Sequence, residues 1–293
     1  MPEKTYKQIV VLSGKGGTGK TTFTAAMAYL LNNKIIIDCD VDAANLYLIL
    51  KPGIKNNYDF YGGKKASIDS DKCEKCQLCE SICRFNAIKD FIIDQLSCEG
   101  CGLCFRVCPN EAITFNSVQS GFYYEGELAD KTKLYYAKLF AGQGNSGKLV
   151  SAIKRKAVEN ITSGIEWVIV DGPPGIGCPV NASIADADYV IIVTEPTKSG
   201  IHDMKRLVEL LHRFKIQMGI VINKYDINNS ASAQIRSYAE NRDIAILGTI
   251  PFDRQVVTSQ IKGENIMDTG KEFRENIRSI FMKAESEIKS QIN

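Results

Sequence analysis

The motif that says most about the fold is Gly14-Lys15-Gly16-Gly17-Thr18-Gly19-Lys20-Thr21. It fits the pattern G-x-x-x-x-G-K-[ST], and it lies between an apolar run at 8–13 and a predicted helix over about 20–31. In that context the glycines let backbone N–H groups surround phosphates, and the helix N-terminus adds partial positive charge. We predict a phosphate-binding loop that continues to Thr22, with Lys20 at the β- and γ-phosphates and Thr21 on Mg²⁺.

Apolar runs that end in a polar residue recur along the chain and alternate with helical patterns. Runs of this kind are typical of buried parallel strands. Their alternation with helices predicts an α/β fold, a P-loop NTPase with a mostly parallel sheet and helices on both faces. The polar strand ends should gather at one edge of the sheet, where such folds bind ligands. The further runs are 34–38, 166–171, 188–194 and 218–223, and the helical segments are about 148–162, 201–213 and 231–241.

The composition is that of a globular protein, with 293 residues of which 44% are hydrophobic and 24% charged. A net charge of +2 gives no electrostatic reason to expect nucleic-acid binding. No signal-peptide pattern opens the sequence and no apolar run approaches ~18 residues, so we expect a cytoplasmic protein with no stable membrane insertion. The amphipathic stretch 271–293 is predicted to be a helix packed on the domain.

Eight of the ten cysteines lie between residues 73 and 108. In a reducing compartment such a group indicates metal ligation rather than disulfides. The spacing C-x-x-C-x-x-C-x-x-x-C occurs twice, and it is the run found in bacterial ferredoxins with two 4Fe–4S clusters. In those proteins the fourth cysteine of each run ligates the other cluster. The predicted ligands are Cys73, Cys76, Cys79 and Cys108 for cluster 1, and Cys98, Cys101, Cys104 and Cys83 for cluster 2.

The cysteine runs interrupt the α/β pattern. We therefore predict a ferredoxin-like module with two 4Fe–4S clusters at 62–116, inserted into a discontinuous P-loop domain formed by 1–61 and 117–293. About 55 residues bury only a small core, so thiolate–iron bonds would hold the module together. Zinc is the alternative metal, although zinc sites favour separated C-x₂-C pairs over this triple spacing.

Lys15 occupies the second position of the phosphate-binding motif, and a lysine there is typical of one class among the proteins that carry this motif. The run Lys-Gly-Gly-Thr-Gly-Lys-Thr-Thr at 15–22 resembles the deviant Walker A motif of the MinD/ParA/Mrp and nitrogenase iron protein class. This resemblance implies that 1–61 and 117–293 form a MinD/ParA-like ATPase domain. It also implies that Lys15 crosses a homodimer interface to reach the nucleotide of the second subunit. A solvated surface lysine is the alternative.

Two acidic segments resemble the switch segments of the same class. The first is Asp38-Cys39-Asp40-Val41-Asp42, in which Asp40 would orient or activate the attacking water and Asp38 would lie near the magnesium. Asp42 is a rival for the water role, because the nitrogenase iron protein places its corresponding aspartate there. The second is Asp171-Gly172-Pro173-Pro174-Gly175, which resembles the Walker B and switch II segment, and Asp171 would hold Mg²⁺ through water.

Residues near the base of the nucleotide are also implied by the resemblance. Asn223 ends a late apolar run, where the class places its base-contacting asparagine, and Pro251 resembles the next loop along the base. The segment Asn223-Lys224-Tyr225-Asp226 equally fits the guanine-reading motif N-K-x-D of GTPases. Lys15 favours adenine, since its class hydrolyses ATP. GTP remains the alternative.

The two motif sets together imply an ATPase that dimerises around ATP and couples its nucleotide state to electron transfer, with a redox or Fe–S client protein as partner. Two other uses stay open: an ATPase that assembles or carries Fe–S clusters, and a MinD-like positioning or regulatory ATPase with structural or sensing clusters. Cys178 lies seven residues after Asp171, where the nitrogenase iron protein has a ligand to a cluster between its subunits. Whether a third cluster forms there also stays open.

Overall fold

The computed structural model describes residues 4–262, 267 and 270–290. Residues 1–3 and 291–293 lie outside this range. The expectation of no signal peptide rests partly on the first of these segments, and the predicted helix at 271–293 includes the second. The strands in chain order are β1 Lys7–Ser13, β2 Lys34–Asp38, β3 Gly53–Phe60, β4 Gly63–Ile68, β5 Ile88–Lys89, β6 Ile92–Ile93, β7 Ile113–Val118, β8 Gly121–Glu127, β9 Lys133–Leu139, β10 Trp167–Pro174, β11 Tyr189–Thr194, β12 Met218–Asn223 and β13 Ala245–Ile250.

One sheet has the strand order β13-β12-β11-β1-β10-β2-β9-β8-β3. From β13 to β9 all neighbouring strands are parallel, which confirms the predicted mostly parallel sheet. The last two pairs, β9–β8 and β8–β3, are antiparallel. Sequence patterns did not predict this edge, because β3 is largely exposed and carries no continuous apolar run.

Helices cover both faces of the sheet, as predicted. Their bounds are α1 Lys20–Leu30, α2 Leu46–Leu50, α3 Leu78–Ser81, α4 Leu103–Val107, α5 Ser146–Glu159, α6 Cys178–Ile184, α7 Lys198–Arg213, α8 Asn229–Glu240, α9 Arg254–Lys262 and α10 Lys271–Ser290. One core lies between the sheet and helices α5 to α8, and a second core lies between the opposite face and helices α1 and α10.

Helix α7 illustrates how the sequence produces this layer. Its buried residues Met204, Leu207, Val208 and Leu211 follow the spacing i, i+3, i+4, i+7 and face one core. Thr197 caps the helix by accepting a hydrogen bond from the Gly200 N–H. The start of this helix is therefore fixed beside the phosphate-binding loop, where Lys15 contacts Thr197 and Ser199.

A small separate layer is formed by residues 63–118. Strands β4 and β7 pair antiparallel from Gly63 opposite Val118 to Ile68 opposite Ile113, and β5 pairs with β6. Short helices α3 and α4 complete the layer, and Ala66, Ile88, Ile93 and Ile113 form its own hydrophobic cluster with several cysteines. The paired strands place the two ends of the segment side by side. The C-terminal end lies at Val118, two residues beyond the boundary predicted at 116.

The C-terminal helix α10 packs on the domain. Its side chains Phe273, Ile277, Ile280 and Phe281 are buried, and Phe281 meets Trp167 edge to face at 5.5 Å. Among the described residues, no helix is both long and apolar enough to span a membrane.

Candidate functional site

The loop between β1 and α1 borders a cavity of about 570 Å³ at the carboxyl edge of the sheet. Gly17 and Gly19 have φ of +80° and +88°, a backbone region that residues with a Cβ rarely adopt. A Cβ on Gly16 or Gly17 would have no heavy atom within 4 Å, so the loop backbone is open toward the cavity. The predicted residues that line it are Gly16, Gly17, Thr18, Gly19, Lys20, Thr21, Thr22, Asp40, Asp42, Asn223 and Pro251.

Asp171 is fully buried within β10 and organises the charges next to the loop. Its carboxylate lies 3.0 Å from Lys20 Nζ and accepts hydrogen bonds from the hydroxyls of Thr21 at 2.8 Å and Thr24 at 2.7 Å. Burial opposes the charge of Lys20, but Asp171 and two further aspartates outweigh it and raise the pKa of Lys20. Thr24 was missed by sequence reasoning, because it lies beyond the motif on the next turn of α1.

Asp38 is not among the described residues that line the cavity. It is fully buried and accepts hydrogen bonds from the backbone N–H groups of Asp40 at 3.0 Å and Leu46 at 3.1 Å. Burial and the nearby Asp171 carboxylate raise the pKa of Asp38 to about 7. Asp38 therefore holds the segment after β2 in place.

Asp40 and Asp42 both line the cavity but lie in different surroundings. The Asp40 carboxylate is partly buried and lies 3.9 Å from Lys20 Nζ. Asp42 is exposed. Asp40 is thus the carboxylate placed beside the lysine that is predicted to bind the transferred phosphate.

Thr18 carries a polar atom whose environment suits a ligand. In the part of the chain that the structure describes, Thr18 Oγ1 is one of four buried side-chain polar atoms without a hydrogen-bond partner. A buried hydroxyl left unpaired costs about 1–3 kcal/mol. Phosphate oxygens could accept from this hydroxyl, while Lys20 and the loop N–H groups supply the positive donors that phosphates need. The residues present therefore fit a nucleotide phosphate chain with Mg²⁺.

Apolar residues that follow β13 also line the cavity, among them Pro251, Phe252 and Val256. Asn223 faces the loop, and its side-chain N–H donates to the Thr18 carbonyl at 2.8 Å. Asp226, the acidic residue of the alternative guanine motif, accepts a hydrogen bond from the Phe252 N–H at 2.7 Å. Asp226 is not among the described residues that line the cavity, and one of its carboxylate oxygens is engaged by this backbone N–H.

Gly14 and Lys15 differ from the rest of the motif, because they are not among the described residues that line the cavity. A Cβ on Gly14 would lie 2.3 Å from Asp203 Cβ, so glycine is needed for the close approach of α7. The Lys15 ammonium lies 2.6 Å from Glu195 Oε1 and 3.0 Å from Ser199 Oγ in its own subunit.

Glu195 was not identified from the sequence. It directly follows the apolar run 188–194, whose polar end was predicted to lie at the ligand-binding edge of the sheet. It is nearly buried and pairs with Lys15 and, at 3.3 Å, with Lys224. Burial opposes its ionisation, but the hydrogen bond from Lys15 and the charge of Lys224 outweigh burial and hold the pKa of Glu195 below its usual value.

The cysteines of the small layer border two cavities. The cavity of about 290 Å³ is lined by Cys83, Cys98, Cys101 and Cys104, and that of about 20 Å³ by Cys73, Cys76, Cys79 and Cys108. All eight are free thiols. Within residues 4–262, 267 and 270–290, no group of three or more His, Cys, Asp or Glu side chains is placed to hold a metal ion.

The two remaining cysteines lie in the larger domain. Cys39 is buried in one of the main cores, where burial raises the pKa of its thiol. Cys178 is exposed and begins α6, and a Cβ on Gly147 would lie 3.3 Å from its Cβ.

The parallel sheet and the phosphate-binding loop at its carboxyl edge define a P-loop nucleotide-binding protein. Residues 9–266 match the model of the CobQ/CobB/MinD/ParA nucleotide binding domain, and the chain belongs to that family. As a member of the MinD/ParA group it is an ATP-binding ATPase.

Similar proteins cover most of the chain. An uncharacterized protein of Methanocaldococcus jannaschii is 34% identical over 279 residues, which are 94% of this chain and 95% of that protein. Septum site-determining protein MinD of Synechocystis is 24% identical over 268 residues, 88% of this chain and 81% of that protein. MinD of Pyrococcus horikoshii, solved with Mg-ADP, is similar over 94% of each chain with a TM-score of 0.57 and 15% identity, which shows a shared fold.

Proposed function

We propose that this ATPase dimerises around ATP and couples its nucleotide state to electron transfer through two 4Fe–4S clusters held by the segment 62–116. The observation that carries the proposal is the grouping of the cysteines. Each of the two cavities in that segment is lined by four cysteines, and each set combines three from one run with the fourth from the other. That interleaving is the ligand arrangement of two-cluster ferredoxins.

A cluster of four irons takes one thiolate for each iron, so its four ligands need not converge on a single point. Ala66, Ile88 and Ile113 pack with the cysteines and would exclude water from the clusters. When bound, such clusters supply one-electron redox chemistry. The pairing of Gly63 with Val118 brings the ends of the segment together, so 62–116 would form the separate module and 1–61 with 117–293 the ATPase domain.

In the ATPase site, the loop from Gly14 to Thr22 would bind the phosphates of ATP, with Lys20 against the β- and γ-phosphates. Thr21 and Asp171 would hold Mg²⁺, with Asp38 fixing the segment that leads to Asp40. Asp40 would orient the water that attacks the γ-phosphorus, and the bond to the β-phosphate oxygen would break to release ADP. Lys15 from a second copy of the chain would stabilise the charge that develops in this step.

Adenine is the base that the site favours. This is supported by Asp226, which is not among the described lining residues and whose carboxylate already accepts a backbone N–H, so it is less available to read guanine. Asn223 and Pro251 would then contact the base from the loops after β12 and β13.

The proposal is tested by purifying the protein without oxygen and measuring iron, sulfide and reduction potential with no nucleotide, with ADP and with a non-hydrolysable ATP analogue. We expect about eight irons per chain and a potential that shifts when the ATP analogue binds. Cys76→Ser and Cys101→Ser should each lose about half of the iron, whereas Cys178→Ser should keep it. Iron far below this level, or a potential that no nucleotide moves, contradicts coupled electron transfer.

A second candidate function is a MinD-like positioning or regulatory ATPase with structural or sensing clusters. It is favoured by the name of the Synechocystis relative, a septum site-determining protein. Full iron content with a potential insensitive to nucleotide would support it over electron transfer. Transfer of the iron and sulfide to an apo-protein would instead support an Fe–S carrier.

A further inference from the structure

Three charged side chains, those of Lys15, Glu195 and Lys224, meet beside the phosphate-binding loop. Lys224 lines the nucleotide cavity, whereas Lys15 and Glu195 are not among its described lining residues. Glu195, in the loop after β11, accepts from Lys15 Nζ with one carboxylate oxygen at 2.6 Å and from Lys224 Nζ with the other at 3.3 Å. Lys224 also donates to the Gly17 carbonyl at 3.3 Å. One carboxylate therefore ties together the loop after β11, the loop after β12 and the phosphate-binding loop.

The two lysines differ in what else holds them. Besides Glu195, the Lys15 ammonium contacts the hydroxyls of Ser199 at 3.0 Å and Thr197 at 3.4 Å, which are neutral groups that water can replace. Lys224 is joined to the backbone of the phosphate-binding loop. Lys15 can thus leave by a rotation of its side chain, whereas Lys224 is attached to the loop that surrounds the phosphates.

A nearly buried carboxylate that loses its only cation is strongly destabilised, because its charge is then left without compensation. Glu195 has a side-chain exposure of 12% and two cations. When one of them leaves, the other still compensates its charge. Because Lys224 stays paired with Glu195, separating Lys15 from Glu195 costs much less free energy than breaking a single buried pair.

We propose that Glu195 is a positioning residue for ATP hydrolysis: it holds Lys15 in its own subunit until a second copy of the chain binds, and Lys224 keeps Glu195 paired once Lys15 crosses to the partner. The inference rests on the proposed ATP-dependent dimer. Glu195 opposes dimerisation in this arrangement, since each subunit must break its Lys15–Glu195 pair before the lysine reaches the other nucleotide.

The experiment measures the dimer dissociation constant by sedimentation, with Mg²⁺ and a non-hydrolysable ATP analogue. Glu195→Gln removes the charge that retains Lys15 and keeps the side-chain shape, so we expect a dissociation constant about three- to tenfold lower than that of the wild type. Glu195→Asp keeps the charge and should return the constant toward the wild-type value. In a Lys15→Ala background the effect of Glu195→Gln should disappear, because the pair that it removes is already absent.

Glu125→Gln is the matched control. Glu125 has the same relative exposure of 9% as Glu195 and also pairs with a lysine, Lys133 at 3.3 Å, but it lies on the antiparallel edge of the sheet. Its variant should dimerise like the wild type. A Glu195→Gln dimer no tighter than the wild type, or an effect that persists without Lys15, overturns the role of Glu195. A wild-type chain that stays monomeric with the analogue overturns the dimer itself, and the inference with it.

Discussion

Asp40 and Asp42 are two residues apart and border the same cavity, yet their surroundings differ. Asp40 is partly buried and lies 3.9 Å from Lys20 Nζ, whereas Asp42 is exposed. The sequence left both open for orienting the attacking water. We predict that Asp40→Asn lowers kcat for ATP hydrolysis by about 100-fold or more, because a positioned carboxylate contributes that much to activating water.

Asp42→Asn is the control for this prediction, and its kcat should fall by less than about tenfold. The two variants are compared by phosphate release at saturating ATP, with binding of an ATP analogue measured separately to show that the site remains intact. The opposite order, with the larger loss at Asp42, would transfer the water role to Asp42.

The antiparallel edge formed by β3, β8 and β9 is joined across its strands by one carboxylate. Glu125 on β8 accepts hydrogen bonds from Asn56 of β3 at 3.1 Å and from Lys133 and Tyr135 of β9, both at 3.3 Å. Burial opposes its ionisation, but the hydrogen bonds from Asn56 and Lys133 outweigh burial and lower the pKa of Glu125. The ionised form therefore stabilises the folded state.

A lowered pKa gives stability that is present above the ordinary value of about 4.3 and is lost as the pH falls through the folded pKa. Glu125→Gln should therefore reduce the free energy of unfolding by about 1–2 kcal/mol near neutral pH. The difference from the wild type should shrink as the pH is lowered from about 6 to about 3, measured by urea unfolding followed through Trp167 fluorescence. A difference that does not depend on pH would contradict this account of Glu125.

At the scale of the whole molecule, the segment 63–118 leaves and rejoins the main sheet at adjacent points. Gly63 pairs with Val118, and on the sheet side of this junction the Ser120 N–H donates to the Phe60 carbonyl at 2.7 Å. A short linker can replace the segment without stretching the sheet, since closing a short loop between adjacent ends costs little entropy.

We predict that a chain with 63–118 replaced by a short Gly-Ser linker still binds an ATP analogue within about threefold of the wild-type affinity and contains no iron. Calorimetry and iron analysis check both parts. The control replaces 53–127, which also removes β3 and β8 and leaves the edge of β9 unpaired, and this chain should aggregate. Loss of nucleotide binding in the first variant would show that the segment is not an independent module.

Sequence patterns alone determined five of the seven parallel strands, which are β1, β2, β10, β11 and β12, the helices on both faces of the sheet and the phosphate-binding loop. They did not predict β9 and β13. Each of the predicted features is encoded by neighbouring residues, as apolar runs, helical periodicity or glycines at fixed spacing. The cysteine spacing predicted which four cysteines border each cavity in the small layer for the same reason.

Only the tertiary structure revealed the antiparallel edge, the burial of Asp38 under backbone N–H groups and the hydrogen bond between Asp226 and the Phe252 N–H. It also brought Lys15, Glu195 and Lys224 together from three loops that are far apart in the chain. Such contacts depend on how strands are ordered in the sheet, and strand order is set by packing between distant segments. No local pattern in the sequence records which strand ends become neighbours.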